Sequence, residues 1–428
     1  MTGADWILTA GITVLLVLGV PFAFAIGIGV VLALLVSGID TIVAIQYSVS
    51  GIEVYALLAV PCFILAGDIM HTGGLSGRLV ELAMVTARYL RGGLGMVAVL
   101  SATFFGAISG SAPATTAAIG KLTIPEMEKR GYSKSFAAAL AAAYGPIGIM
   151  IPPSIPMVIW GIIANVSVPR LFLAGIVPGL LLCLALMTMC NVYARRIDLP
   201  RDSRRFSWNE LGRALWDSKW ALLAPVIILG GIYGGIFTPT EAGVIGVLYG
   251  LIVGLFIHRE LKLADIPAIL LRSMRTTAAI IFIVALSTAY GWLIALEKVA
   301  DRLGAAIAQF SDEKVIVLLV LNVVLLLVGA LMDTIAIMIV FSGFLISIGT
   351  QLGLDPVHLG AMIVVNLGIG LATPPFGYTL FTAAAISDVP LGRINRMLWP
   401  LIAAEIAVVV LIALVPELSL WLPNLVYG

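Results

Sequence analysis

Long runs almost free of charge, such as "LFLAGIVPGLLLCLALMTMCNVY" (171–193) and "TTAAIIFIVALSTAYGWLIAL" (276–296), recur along the whole sequence. About 20 such residues in helical form match the hydrocarbon thickness of a bilayer. Only 11% of the 428 residues are charged and 61% are hydrophobic, whereas soluble domains carry about 25% charge. The expected class is therefore an all-α polytopic membrane protein. In lipid every backbone amide and carbonyl must be bonded internally, so any interruption of a helix at membrane depth needs protein or water around it. No basic patch with interleaved aromatics suggests a nucleic-acid partner. Cys62, Cys183 and Cys190 lie in apolar segments without CxxC or Cys/His spacing, and are read as small buried residues without metal or disulfide. The N-terminal segment has no positive n-region or cleavage site and is read as a span.

Ten crossings are expected, at 6–20, 22–37, 54–70, 135–167 and 170–193, then 220–237, 241–258, 277–295, 357–387 and 397–415. Two further apolar stretches, 93–125 and 315–350, break in the middle and are read as re-entrant hairpins. With the N-terminus outside, this layout puts all of the 24 lysines and arginines inside except Arg170, Lys298, Arg302 and Lys314. That is the bias expected of cytoplasmic loops. Both termini are then periplasmic.

Five crossings per half make the halves inverted copies. Their landmarks recur at a nearly constant offset: Gly106-Ala107 matches Gly329-Ala330, "GIMIPPS" (148–154) matches "GLATPPF" (370–376), and Pro178 matches Pro400. The expected organisation is a first repeat over 1–193, a cytoplasmic linker over 194–219 and a second repeat over 220–428. Each repeat holds scaffold spans (6–70; 220–295), an arm (74–91; 297–312), a hairpin (93–125; 315–350) and a broken helix (135–167; 357–387). The arms are amphipathic, with Leu75, Leu79 and Leu82 opposite Arg78, Glu81 and Arg88, and suit the interface plane.

Inverted repeats with discontinuous helices are the architecture of secondary transporters. The breaks fall at Ser109–Thr116 and Met332–Ala336, and at Tyr144–Pro156 and Asn366–Gly377. Prolines there delete donors and glycines accept unusual dihedrals. Carbonyls ending a half-helix suit a hard cation, and amides opening the next suit an anion. The candidate site comprises Ser109, Gly110, Ser111, Thr115 and Thr116 with Gly145, Pro146, Gly148, Pro152 and Pro153. In the second half it comprises Asp333 and Thr334 with Asn366, Gly368, Gly370, Thr373 and Pro374. Na⁺ is expected near Ser109, Ser111, Gly145, Asp333, Thr334 and Thr373.

"FFGAISGSAPATTAAIG", "YGPIGIMIPPSIPMVIWG", "GGIFTPTEAG" and "GIGLATPPFG" resemble the signatures of the large (DctM-like) membrane subunit of TRAP, tripartite ATP-independent periplasmic, transporters. The similarity runs over essentially the whole chain. It implies a protein of the bacterial cytoplasmic membrane that imports organic acids with Na⁺ by an elevator motion. It also implies a small four-span membrane subunit (DctQ-like) and a soluble periplasmic binding protein as partners. By motif, the hairpin tips fall on Ser109, Gly110, Ser111 and Thr115, and on Met332, Asp333 and Thr334. One departure stands out: many relatives carry an aspartate where this chain has Thr115, so the first tip lacks a formal charge.

Glu405, within "PLIAAEIAVVV", is read as a helix or subunit contact, and Glu241 as a cap on the following helix. His71, His258 and His358 fall at segment ends and are read as interfacial anchors. No cofactor beyond the coupling ion is expected. The alternatives are an elevator-type carrier without a binding protein, an ion channel, and an intramembrane enzyme, for which HExxH and GxSxG are both missing.

Overall fold

Backbone groups in an apolar run have only each other to bond, and the computed structural model meets that demand with helices throughout. It describes residues 7–199, 206–297 and 313–428, and no strand occurs among them. Among the described residues, five helices are long and apolar enough to cross a membrane: Tyr55–Thr72, Val168–Arg196, Pro239–Ile257, Leu263–Leu296 and Leu391–Leu414. The number rises to eight if each of three bent pairs is one span. The ten expected crossings include segments too short or too interrupted to be counted this way, among them the two read as broken helices. Phe22–Ser37 has only 16 residues, and the segment 357–387 divides into Pro356–Gly370 and Tyr378–Ser387.

Three helices lie where none was expected. Ile42–Ile52 packs on the long helix Ile266–Leu296, and Glu417–Tyr427 packs on Val168–Arg196. The third, Trp208–Asp217, occupies the stretch read as a linker, and helix Val168–Arg196 also runs past residue 193. Ser207 caps Trp208–Asp217 by accepting from the Glu210 amide, and Trp208 and Trp216 stay exposed, as suits residues at a membrane surface. The helix docks on the first arm, Leu75–Ala87, through an ion pair between Arg88 and Glu210. The arm buries Leu75, Leu79 and Leu82 as the pattern implied, and Arg78 reaches Glu260 at 2.7 Å. The second arm, expected over 297–312, lies outside the described residues from 298 onward.

The scaffold segments of the two halves pack across each other, Ala59–Thr72 against Pro239–Ile252 and Phe22–Ser37 against Ile266–Leu296. The apolar stretch 93–125 forms helix Gly93–Ser109, turns at Gly110 (φ 60°) and Ser111, and returns as Ala112–Lys129 against its partner. The stretch 315–350 behaves differently. Lys314–Gly329 is followed by Thr334–Val340 and Ser342–Gln351, bent by 67°, and Thr334–Val340 packs chiefly on Ile266–Leu296. An apolar cleft of about 260 Å³, lined by Val317, Leu321, Val324 and Phe341 among others, lies between Lys314–Gly329 and the two helices that follow. The first pair of helices packs directly together, whereas "KVIVLLVLNVVLLLVG" lines the cleft with branched side chains.

In each half a glycine ahead of the first break meets a glycine of the broken helix, backbone on backbone. A Cβ on Gly106 would lie 3.0 Å from the Gly148 Cα, and one on Gly370 would lie 2.6 Å from the Gly329 carbonyl carbon. Gly370→Ala should therefore destabilise the protein by about 1–3 kcal/mol, since backbone gives way poorly to an added methyl. Gly291→Ala, where a Cβ meets nothing within 4 Å, should leave stability level or raise it. Thermal unfolding of the purified protein in detergent distinguishes the two.

Candidate substrate and ion site

Both interrupted stretches deliver their tips to one cavity of about 740 Å³. Ser109, Gly110 and Ser111 line it from one side, and Met332, Asp333 and Thr334 from the other. Ser111 is extended (φ −136°) and stands at the start of Ala112–Lys129, whose N-terminus brings unpaired amides and positive partial charge to the cavity. Its hydroxyl has no partner among the described residues, while its carbonyl accepts from the Thr115 amide at 3.0 Å and the Thr115 hydroxyl at 2.9 Å. Asp333 caps Thr334–Val340, Oδ1 accepting from the Ile335 amide at 2.9 Å, and is exposed to the cavity. The tips therefore differ in charge: the first offers amides and hydroxyls, the second a carboxylate.

Of the residues expected at the site, Ser109, Gly110, Ser111, Asp333 and Thr334 line the cavity and the rest stand behind it. Thr115 is fully buried, its hydroxyl 3.0 Å from that of Ser109, and it occupies the space a side chain on Gly148 would need. Thr116 does the same opposite Gly145. Gly110 lies against the Pro153 carbonyl, so the tip rests directly on the turn Pro152-Pro153, which carries a cis peptide as Pro374-Pro375 does. The first proline pair is buried, whereas Pro375 is exposed. Pro146 and Met150 meet Gly368, joining the broken segments of the two halves. Asn366 donates to the Asn322 carbonyl at 2.9 Å and side-chain oxygen at 2.8 Å, and Thr373 donates to Ile369. Thr334 Oγ1 and Asn366 Oδ1 are buried without a partner among the described residues, oxygens of the kind that suit a hard cation.

The sequence reading missed the opposite wall. Asp68 on Ala59–Thr72 accepts from Ser273 at 2.6 Å and pairs with Arg272 at 3.3 Å, and all but Ser273 line the cavity together with His71, Lys121 and Tyr378. Asp68 was findable, as an acid inside an apolar segment. Arg272 was read as a loop residue, but helix Ile266–Leu296 begins early enough to carry it. Elsewhere, Glu241 forms a reciprocal cap with Thr238, and Glu405 is fully buried among packed helices. His358 is no interfacial anchor: the unanticipated C-terminal helix covers it and sets Ser419 Oγ 2.7 Å from its ring.

A multi-pass helical bundle whose interrupted stretches bring both tips to one cavity has the architecture of a membrane transporter. Solved structures share this fold: the Alcanivorax borkumensis YdaH transporter, described as having an unusual topology, aligns with a TM-score of 0.64 at 15% identity over 88% of this chain and 87% of that one. The family model described as "Tripartite ATP-independent periplasmic transporter, DctM component" matches residues 9–418, and the chain belongs to that family of TRAP transporter large permeases. A C4-dicarboxylate large permease, DctM, of Pseudomonas aeruginosa is 40% identical over 87% of both chains. The sialic acid large permease SiaM of Vibrio cholerae is 37% identical over 97% of both. The isethionate permease DctMQ of Oleidesulfovibrio alaskensis is 40% identical over 95% of this chain, which spans 64% of that relative's length. These relatives are permease subunits and not enzymes.

Asn366→Leu keeps the side chain's approximate size and removes its two donated hydrogen bonds, stranding the side-chain oxygen of buried Asn322. A loss of about 1–3 kcal/mol is expected. A lower unfolding temperature in detergent with unchanged membrane insertion is the readout.

Proposed function

We propose that the chain is the substrate-translocating membrane subunit of a Na⁺-coupled secondary transporter that imports organic acids delivered by a periplasmic binding protein. The observation that carries this reading is the convergence of Ser109–Ser111 and Met332–Thr334 on one cavity. Na⁺ binds on the side of Asp333, Thr334 and Asn366, where a carboxylate and unpartnered buried oxygens are available. The solute's anionic group meets Ser111 and the N-terminus of Ala112–Lys129. Charge is then balanced inside the site, which spares an anion the membrane potential of about 2.3 kcal/mol per charge per 100 mV.

The relatives' names give isethionate, C4-dicarboxylate and sialic acid, each an organic anion and one a sulfonate. An oxyanion is the shared chemistry. The two interrupted stretches and broken helices form the moving unit, and segments 6–70 and 220–295 the static frame; recurrence of the glycine contacts Gly106–Gly148 and Gly329–Gly370 supports paired repeats. A small four-span membrane subunit and the binding protein complete the transporter in the cytoplasmic membrane, with both termini of this chain periplasmic.

Reconstitution with both partners, a panel of the three named anions and an inward Na⁺ gradient tests the proposal. Asp333→Ala should raise the half-saturating Na⁺ concentration about tenfold, the loss of one charge-assisted contact, and Ser111→Ala should lower Na⁺-driven uptake. Both variants should still insert. Unchanged Na⁺ dependence in both would sink the ion assignment. Undiminished uptake without the binding protein would favour a self-sufficient carrier, and flux without saturation a channel.

A further inference from the structure

The cavity at the tips continues outward. A second cavity of about 790 Å³ lies between the arm Leu75–Ala87, the helix Trp208–Asp217 and the far end of Ala112–Lys129. His71, Ala118 and Lys121 belong to the walls of both cavities, so they form the neck between them. Lys121 is ten residues beyond Ser111 on one helix, about 15 Å along its axis. His71 and Arg272 face the tip cavity from the scaffold side, and the charges of Lys121 and Arg272 both reach the His71 ring.

The cations lining these cavities are not equivalent. Arg272 is paired with Asp68, Arg78 with Glu260 at 2.7 Å, and the Lys219 ammonium sits 3.4 Å from the centre of the Trp216 ring. Lys121 is exposed to the cavities, and among the described residues no carboxylate lies within 4.0 Å of it. Glu81 and Asp217 line the outer cavity without pairing with it. An unpaired ammonium in a walled cleft focuses positive potential on the passage, and its flexible stem lets it follow a passing charge.

We propose that Lys121 is a cationic way station, holding the carboxylate or sulfonate of the solute at the neck between the two cavities. The assignment of that anion as cargo rests on the transport reading; the anion selectivity of the neck does not. Because Lys121 belongs to the hairpin helix while His71 and Arg272 belong to the scaffold, the contact is made or lost as the two parts move relative to each other.

The test needs no transport. Ala117 lies one helical turn before Lys121, is half-buried and lines the tip cavity. In the purified full-length protein carrying Ala117→Cys, the thiol is labelled with a methanethiosulfonate bearing a sulfonate and, separately, with one bearing a quaternary ammonium. Protein unchanged at Ala117 supplies the background from Cys62, Cys183 and Cys190. The sulfonate-to-ammonium rate ratio should fall about tenfold with Lys121→Gln, return with Lys121→Arg, and approach that of the Gln variant as salt rises to about 1 M. A ratio unmoved by Lys121→Gln, or one that salt leaves untouched, overturns the proposal. Either result stands whether or not the chain moves organic acids, so it is separable from failure of the proposed function.

Discussion

Everything at the centre of this protein depends on interrupting helices where water is scarce. An interrupted helix leaves amides and carbonyls that must be bonded by something. The chain solves this by pressing backbone against backbone, Gly106 on Gly148 and Gly329 on Gly370, with Gly110 seated on the Pro153 carbonyl. Side chains at those positions would separate the segments and leave the loose groups exposed to hydrocarbon. Thr115 and Thr116 complete the seal by filling the spaces above Gly148 and Gly145 while bonding to the carbonyls of Ser111 and Ala112.

The seal has a consequence for Thr115, the position at which the first tip lacks a carboxylate. Its hydroxyl is engaged with Ser109 and Ser111 and the residue does not line the cavity, so its work here is to hold the tip. Formal negative charge at the tips is left to Asp333. The halves share an architecture of breaks, yet one has become a cradle of amides and hydroxyls and the other a carboxylate with unpartnered oxygens. The packing diverges too: the first pair of helices packs directly together, and the second is splayed around an apolar cleft.

Helix content, the location of the four breaks and the cavity-lining tip residues were all legible in the chain. Gly, Pro, Ser and Thr concentrated inside apolar runs admit few other readings. Less legible were Ile42–Ile52, Trp208–Asp217 and Glu417–Tyr427, helices of ten or eleven residues that are too short to stand alone and are held by the surfaces they cover. His358 shows the cost of missing one: without the C-terminal helix it looks like a segment end, and with it the ring is buried against Ser419.

The sequence by itself determined that this chain lives in a bilayer, that its helices break in pairs and which residues stand at the breaks. Those properties follow from local rules, hydropathy and the dihedral limits of glycine and proline. Only the tertiary structure decided that both tips open on one cavity, that Asp68 and Arg272 form its opposite wall, and that Lys121, unpaired among the described residues, stands at its neck. Asp68 and Arg272 are separated by about two hundred residues of chain, and no local rule can pair them. Their meeting is a property of how helices from opposite halves pack.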